Sequence, residues 1–133
     1  MTASVVAVDS SGLCETYRAL VCGGRDFSDQ KYLMDFLDRF HENSKISCII
    51  QGEARGADTM AKTWAILRGV PFEGYPAKWE NDRGAGPRRN ILMLKQGKPD
   101  VVIAFKGGTG TAHMLKIAQA AKIATISTWL ERK

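Results

Sequence analysis

Apolar positions along the chain switch between two periods. Tyr17–Cys22 (YRALVC), Ile46–Gln51 (ISCIIQ) and Asp100–Phe105 (DVVIAF) are short, largely apolar runs that end at glycine or at Lys106-Gly107. Each reads as a buried strand closed by a turn. Val70–Tyr75, which contains Pro71, and Ile123–Thr128 are further strand candidates. Helical spacing fills the intervals between them. Ser28 is placed to cap a helix running to about Asn43, with Tyr32, Leu33, Phe36, Leu37 and Phe40 on one face. Ala57–Arg68 puts Met60, Ala61, Trp64 and Leu67 inward and stops at Gly69. Pro87 suits the first turn of a helix to about Gln96, and Thr111–Ala121 is the last helix.

Five strands alternating with four helices imply right-handed crossovers and a parallel sheet, an α/β fold of three layers. Residues 1–16 lack periodicity and are expected to be a flexible leader to one domain over residues 17–133. In such sheets ligands bind beyond the carboxyl ends of the strands, near the point where the winding reverses. The glycine clusters stand at those ends, so the pattern itself nominates a pocket.

Composition narrows the class. The chain has 133 residues, 44% hydrophobic and 25% charged, as an ordinary globular domain has. No apolar run approaches the length of a membrane span, and the start has neither a basic segment nor a long apolar one. Cys14, Cys22 and Cys48 are odd in number and two lie in strand-like runs, so they read as reduced thiols of a cytoplasmic protein. They match no metal-ligand spacing with His41 and His113, and His41 is expected on the surface near the end of its helix. No metal or other cofactor is called for. The net charge of +5 fits nucleic acid or an anionic small ligand. Between Lys78 and Lys98 six cations (Lys78, Arg83, Arg88, Arg89, Lys95, Lys98) face two anions, Glu80 and Asp82, around a Gly/Pro loop. That placement favours a pocket over a basic face, so nucleic acid is the lesser candidate.

Four loops carry candidate chemistry. Gly107, Gly108, Thr109, Gly110 and Thr111 follow the most apolar strand and open a helix, where bare amides bind anions and hydroxyls add donors. The Walker A spacing is absent, and no acid follows at the distance a dinucleotide fingerprint needs, which argues against a hydride-transferring dehydrogenase. Gly23 and Gly24 leave room for a ligand, Arg25 is suited to phosphate, and Asp26 is a helix-capping candidate. The stretch Gly52-Glu53-Ala54-Arg55-Gly56-Ala57-Asp58 gathers three charges between glycines. Arg55 is a phosphate partner there or, alternatively, the salt-bridge partner of Asp58; Asp58 is otherwise a ribose or arginine ligand. Arg88, Arg89 and Asn90 stand in a first helical turn, where cations oppose the dipole unless an anion is bound. Trp79 is either a base-stacking lid or a loop anchor.

The segments CGGRDFSD, GEARGADTMAKTWA, GPRRNILML and KPDVVIAFKGGTGTAHM together resemble the SLOG superfamily, in its small YspA-like branch of phages and bacteria. The resemblance runs from about Arg18 to Ser127. It implies a Rossmann-like sheet related to the LOG phosphoribohydrolases and the Smf/DprA proteins, binding nucleotide-derived ligands as a homodimer or higher homo-oligomer. By position, Gly107, Gly108, Gly110 and Thr111 match the phosphate loop, and Arg89 and Asn90 match the ligand-facing pair. Gly23, Gly24, Arg25, Gly52, Arg55, Gly56 and Asp58 match the other strand-end loops. The LOG hydrolases carry an acid directly after their glycine loop, where this chain has Ala112, His113 and Met114. A neutral imidazole stabilises an oxocarbenium-like state less than a carboxylate does.

Three functions follow as expectations. The first is binding or sensing of a nucleotide-derived, phosphate-containing molecule such as ADP-ribose or NAD. The second is N-glycoside or phosphoribo-hydrolysis, with Glu53 and Asp58 as the candidate catalytic carboxylates. The third is DNA binding of the DprA type, which should weaken steeply with salt.

Overall fold

A computed structural model describes residues 16–78 and 84–129. The chain forms β1 (Tyr17–Cys22), α1 (Gln30–Asn43), β2 (Ile46–Gln51), α2 (Ala57–Arg68), β3 (Phe72–Gly74), α3 (Ala85–Leu92), β4 (Val101–Ala104), α4 (Thr109–Ala120) and β5 (Ala124–Ser127). Every strand pairing is parallel, in the order β3-β2-β1-β4-β5. The chain winds outward from β1 to β3, then returns to the far side of β1 for β4 and β5. The winding therefore reverses between β1 and β4, and the Rossmann-like crevice lies outside their carboxyl ends. Among the described residues no helix is long and apolar enough to cross a membrane.

Two layers of helices explain why the central strands are apolar throughout. Ala19 and Val21 of β1 pack with Leu33, Leu37, Ala61 and Trp64 on the α1/α2 side. Leu20 and Cys22 pack with Met93, Met114 and Ala118 on the α3/α4 side. Ile46 and Ile49 of β2 share the first layer although three residues apart, which strict alternation forbids. The pairing steps from Tyr17–Ile46 to Arg18–Cys48, and that extra residue resets the face.

Trp64 is fully buried, and its indole N–H donates to Asp38 Oδ1 at 2.8 Å. Arg68 grips the same carboxylate through Nε and Nη2 at 2.8 and 2.9 Å. These bonds, Arg68 foremost, hold Asp38 down to about 2. Asp38→Ala leaves the buried indole N–H without its acceptor and is expected to cost about 1–3 kcal/mol. Urea unfolding checks this, and an unchanged midpoint refutes it.

Several boundaries differ from the sequence reading, each for a local reason. Asp29, not Ser28, caps α1: its Oδ1 accepts from Tyr32 N at 3.1 Å, while the Ser28 carbonyl accepts from Gln30 N. Helix α3 starts at Ala85, so Pro87 is its third residue; a missing N–H costs nothing anywhere in the first turn. It ends at Leu92 and continues as one π-type turn, Met93–Gly97. Helix α4 starts at Thr109, not Thr111, which places Gly110 inside its first turn. Leu67 is 63% exposed, and Ala65 takes the inward place. His41 is no idle surface group: Nδ1 accepts from Ile46 N at 3.0 Å, and the ring meets Trp64 edge-on. Cys22 and Cys48 are buried free thiols. The leader residues 1–15 with Cys14, the loop residues Trp79, Glu80, Asp82 and Arg83, and residues 130–133 lie outside the described residues.

Candidate functional site

The loops after β1, β2 and β4 lock together above the β1/β4 reversal. Gly24 N donates to Lys106 O at 2.9 Å, and Gly24 O accepts from Phe27 N and Ala57 N. This packing accounts for several glycines. A methyl on Gly23 would lie 2.6 Å from Ala57 Cβ, and one on Gly107 would lie 2.6 Å from Gly24 N. One on Gly24 would lie 3.0 Å from Gly107 Cα. Gly56 turns the chain into α2 at φ +84°, with Arg25 O 2.8 Å from where its Cβ would be. Gly108 and Gly110 are different. A methyl on either would meet no atom within 4 Å, and neither has a positive φ. At Gly110 nothing among the described residues requires glycine, whereas the Gly108 backbone, at φ −104° and ψ −138°, lies outside the regions open to other residues.

Those two glycines line a cavity of about 680 Å³. One wall is the end of β1, from Cys22 to Arg25. The others are the entries to three helices: Ala54 and Asp58 at α2, Gly86 and Pro87 at α3, and Gly108–Thr111 at α4. Helices α2, α3 and α4 all have glycine at the N-cap, with no side-chain capping bond, whereas α1 is capped by Asp29. Three positive helix ends thus converge on one space, an arrangement that attracts an anion.

Arg89 and Asn90 brace the far wall. The Arg89 Nη1 donates to Gly52 O at 2.6 Å and Tyr75 O at 3.3 Å, and Nε donates to Asn90 Oδ1 at 3.2 Å. Arg89 therefore has a structural reason to oppose the α3 dipole: it satisfies carbonyls beyond β2 and β3. Gly52 makes room for it, since a methyl there would collide with the guanidinium and lie 2.8 Å from Asp58 Oδ2. Asn90 is buried, and its amide donates to Gly110 O at 3.2 Å and to His113 Nδ1 at 3.1 Å. With its oxygen taken by Arg89, the amide orientation is fixed and its N–H groups face Gly110 O and His113 Nδ1.

Asp58 is 6% exposed, and its Oδ2 accepts from Gly52 N at 3.1 Å and Ala54 N at 3.4 Å. Burial pushes this carboxyl up to about 6, against the pull of the Arg89 guanidinium. Burial likewise lowers Arg89 and raises the Cys22 thiol, which is thereby kept protonated and non-nucleophilic on the cavity wall. Among the described residues Asp58 is the acid lining the cavity.

Two predicted residues point elsewhere. Glu53 adopts φ +60°, and its carboxylate is held by Lys62 at 3.1 Å and Gln51 Nε2 at 3.0 Å, beside Gly74 and off the cavity. Arg55 reaches across the loops instead of along its own: it donates to Arg25 O and pairs with Asp26 at 3.2 Å, not with Asp58. Arg25, Thr109 and Thr111 line the cavity, Thr111 from a buried position. The sequence reading missed Gly86 and Cys22 as wall residues and Lys62 as the anchor of Glu53. Only the Gly-Pro start of α3 hinted at any of these.

Against known proteins, the model of the YspA, cpYpsA-related SLOG family matches residues 17–81, from β1 past β3. The Gene 61 protein of Mycobacterium phage D29 is 37% identical over 119 residues, covering 83% of this chain and 94% of that protein. Sequence and fold agree, and the chain belongs to the YspA, cpYpsA-related SLOG family.

Proposed function

We propose that the cavity binds a phosphate-bearing, nucleotide-derived small molecule, with its phosphate on the first turn of α4. The observation that carries this reading is Gly110. No packing contact requires glycine there, yet it lies in the first turn of an uncapped helix that shares the cavity with the entries of α2 and α3. A phosphate approaching backbone amides is a physical reason for it. Arg25 and Arg89 supply counter-charge, Thr109 and Thr111 hydroxyl donors, and Asp58 a partner for ribose hydroxyls.

Calorimetric titration with AMP, ADP-ribose and NAD tests the reading. A ligand that binds only the folded chain adds about 2.7 kcal/mol of stability at about 100 times its Kd, so the melting temperature should climb with concentration. Absence of binding by all three removes the reading.

One observation favours hydrolysis as a second reading. Asp58 is a cavity carboxyl raised to about 6, near the range in which an acid can both give and take a proton at neutral pH. On that reading Asp58 serves the N-glycosidic bond, and Glu53 acts at most through its neighbours. Incubation with nucleoside monophosphates and NAD, followed by chromatography for free base, separates the two. Release of base that Asp58→Asn abolishes identifies an enzyme; unchanged ligand identifies a binder.

A further inference from the structure

We propose that a second cavity, on the α1 side of the same loops, takes the far half of the ligand, which is then a dinucleotide whose diphosphate crosses the Gly24–Gly108 seam. The inference rests on the nucleotide reading of the first cavity. This second space, of about 690 Å³, shares Gly24, Arg25 and Gly108 with the first. Each lies in the size range of small-ligand sites, roughly 300–1,000 Å³, so together they exceed what one nucleotide fills.

The two cavities divide the recognition chemistry. Among the described residues, the first is lined by no phenylalanine, tyrosine or tryptophan; it offers amides, arginines and hydroxyls. The second has Phe27, Tyr32 and Trp129 in its walls, flat faces on which a base stacks. Tyr32 is fixed there: its hydroxyl donates to Thr128 O at 3.1 Å, and its ring meets Phe105 edge-on. Acids near the opening are already engaged, Asp26 with Arg55 and Asp29 with the α1 cap. Lys106 adds a cation on the side where a diphosphate would cross.

Thr128 is the independent sign of an occupant. It lines the second cavity, is 2% exposed, and its hydroxyl has no hydrogen-bond partner. An orphaned buried hydroxyl is costly, and a polar edge of a base at the cavity floor satisfies it after a turn about χ1.

The test is calorimetric titration of the full chain with AMP, NAD and diadenosine diphosphate. Either dinucleotide should bind about tenfold or more tightly than AMP. Thr128→Val keeps the shape and removes a hydroxyl the fold does not use, so its melting temperature should hold. Its dinucleotide affinity should drop about tenfold, the loss of one good hydrogen bond, with AMP unaffected. Ser28→Phe, at an exposed position of the second cavity only, should fill that space and give the same split should the threonine variant misfold. AMP binding as tightly as both dinucleotides, or neither variant changing dinucleotide affinity, overturns the two-ended ligand and leaves the first reading standing. Binding of none of the three overturns both.

Discussion

Gly107→Ala and Gly110→Ala, three residues apart where β4 passes into α4, are expected to fail in opposite ways. At Gly107 the new methyl meets backbone, Gly24 N at 2.6 Å, as well as the Thr111 hydroxyl. Backbone cannot rotate aside, so the loops after β1 and β4 must part. Overpacking of this kind costs about 1–3 kcal/mol, and the loss of the Gly24–Lys106 hydrogen bond puts this site at the upper end. At Gly110 the methyl enters open space within the first turn of α4. Alanine is the better helix former by up to about 1 kcal/mol, so the variant should be as stable as the parent or more so. Nucleotide affinity should nevertheless fall about tenfold or more, because the methyl occupies the volume beside the amides on which we place the phosphate. Urea unfolding paired with titration reads both quantities. Full-strength binding by Gly110→Ala would show that the phosphate sits elsewhere, and an unperturbed Gly107→Ala would show that the seam is loose.

Asp58→Asn is expected to stabilise the folded chain near neutral pH. The Asp58 carboxyl lies at about 6 when folded and at an ordinary 3.8 when exposed, so the folded state holds the proton more tightly. Its contribution is therefore complete below about pH 3.8 and is lost as pH rises through about 6. That interval corresponds to about 3 kcal/mol, of which relaxation and water entry retain a part. Asparagine can accept from Gly52 N and Ala54 N without carrying charge, so the variant should gain about 1–3 kcal/mol over the parent at pH 7. It should also lose the downward slope in stability between about pH 4 and 6. Asp38 and Glu53, both lowered, act in the opposite sense. Their effect is confined to acid below the ordinary carboxylate range, so unfolding between pH 5 and 7.5 isolates Asp58. A variant less stable than its parent at pH 7, with the same slope, would show that the carboxylate is ionised and needed for the fold.

The sheet was legible because both faces of β1 and β4 are buried. Ala19 to Cys22 and Val101 to Phe105 have no polar side chain to interrupt them, and glycine marks the ends of the strands. The parallel order follows from the connections. Less was legible at β2, where Ile46 and Ile49 share a face through a pairing slip that no spacing rule contains. The candidate site divides in the same way. Glycines and helix entries are local, so Gly108–Thr111 and Asp58 could be placed from the chain alone. Side-chain direction is not local. Glu53 turns away because its backbone sits at φ +60° and Lys62 waits one helical face along. Arg55 chooses Asp26, 29 positions back, over Asp58, three ahead, because α2 buries the latter.

The seam between Gly24 and Lys106 joins loops 82 positions apart (106 − 24), and the candidate cavity has a wall on each side of it. The first half of the sheet can form from near neighbours, since β1, α1 and β2 are consecutive. The cavity cannot. It requires β4 to cross to the far side of β1 and close a long loop, which is slow in entropy terms and comes late in folding. A partly folded chain therefore has strands and helices but not the cavity in which we place the phosphate. Capture of the proposed ligand would report the finished topology and stabilise that end state without guiding the chain towards it.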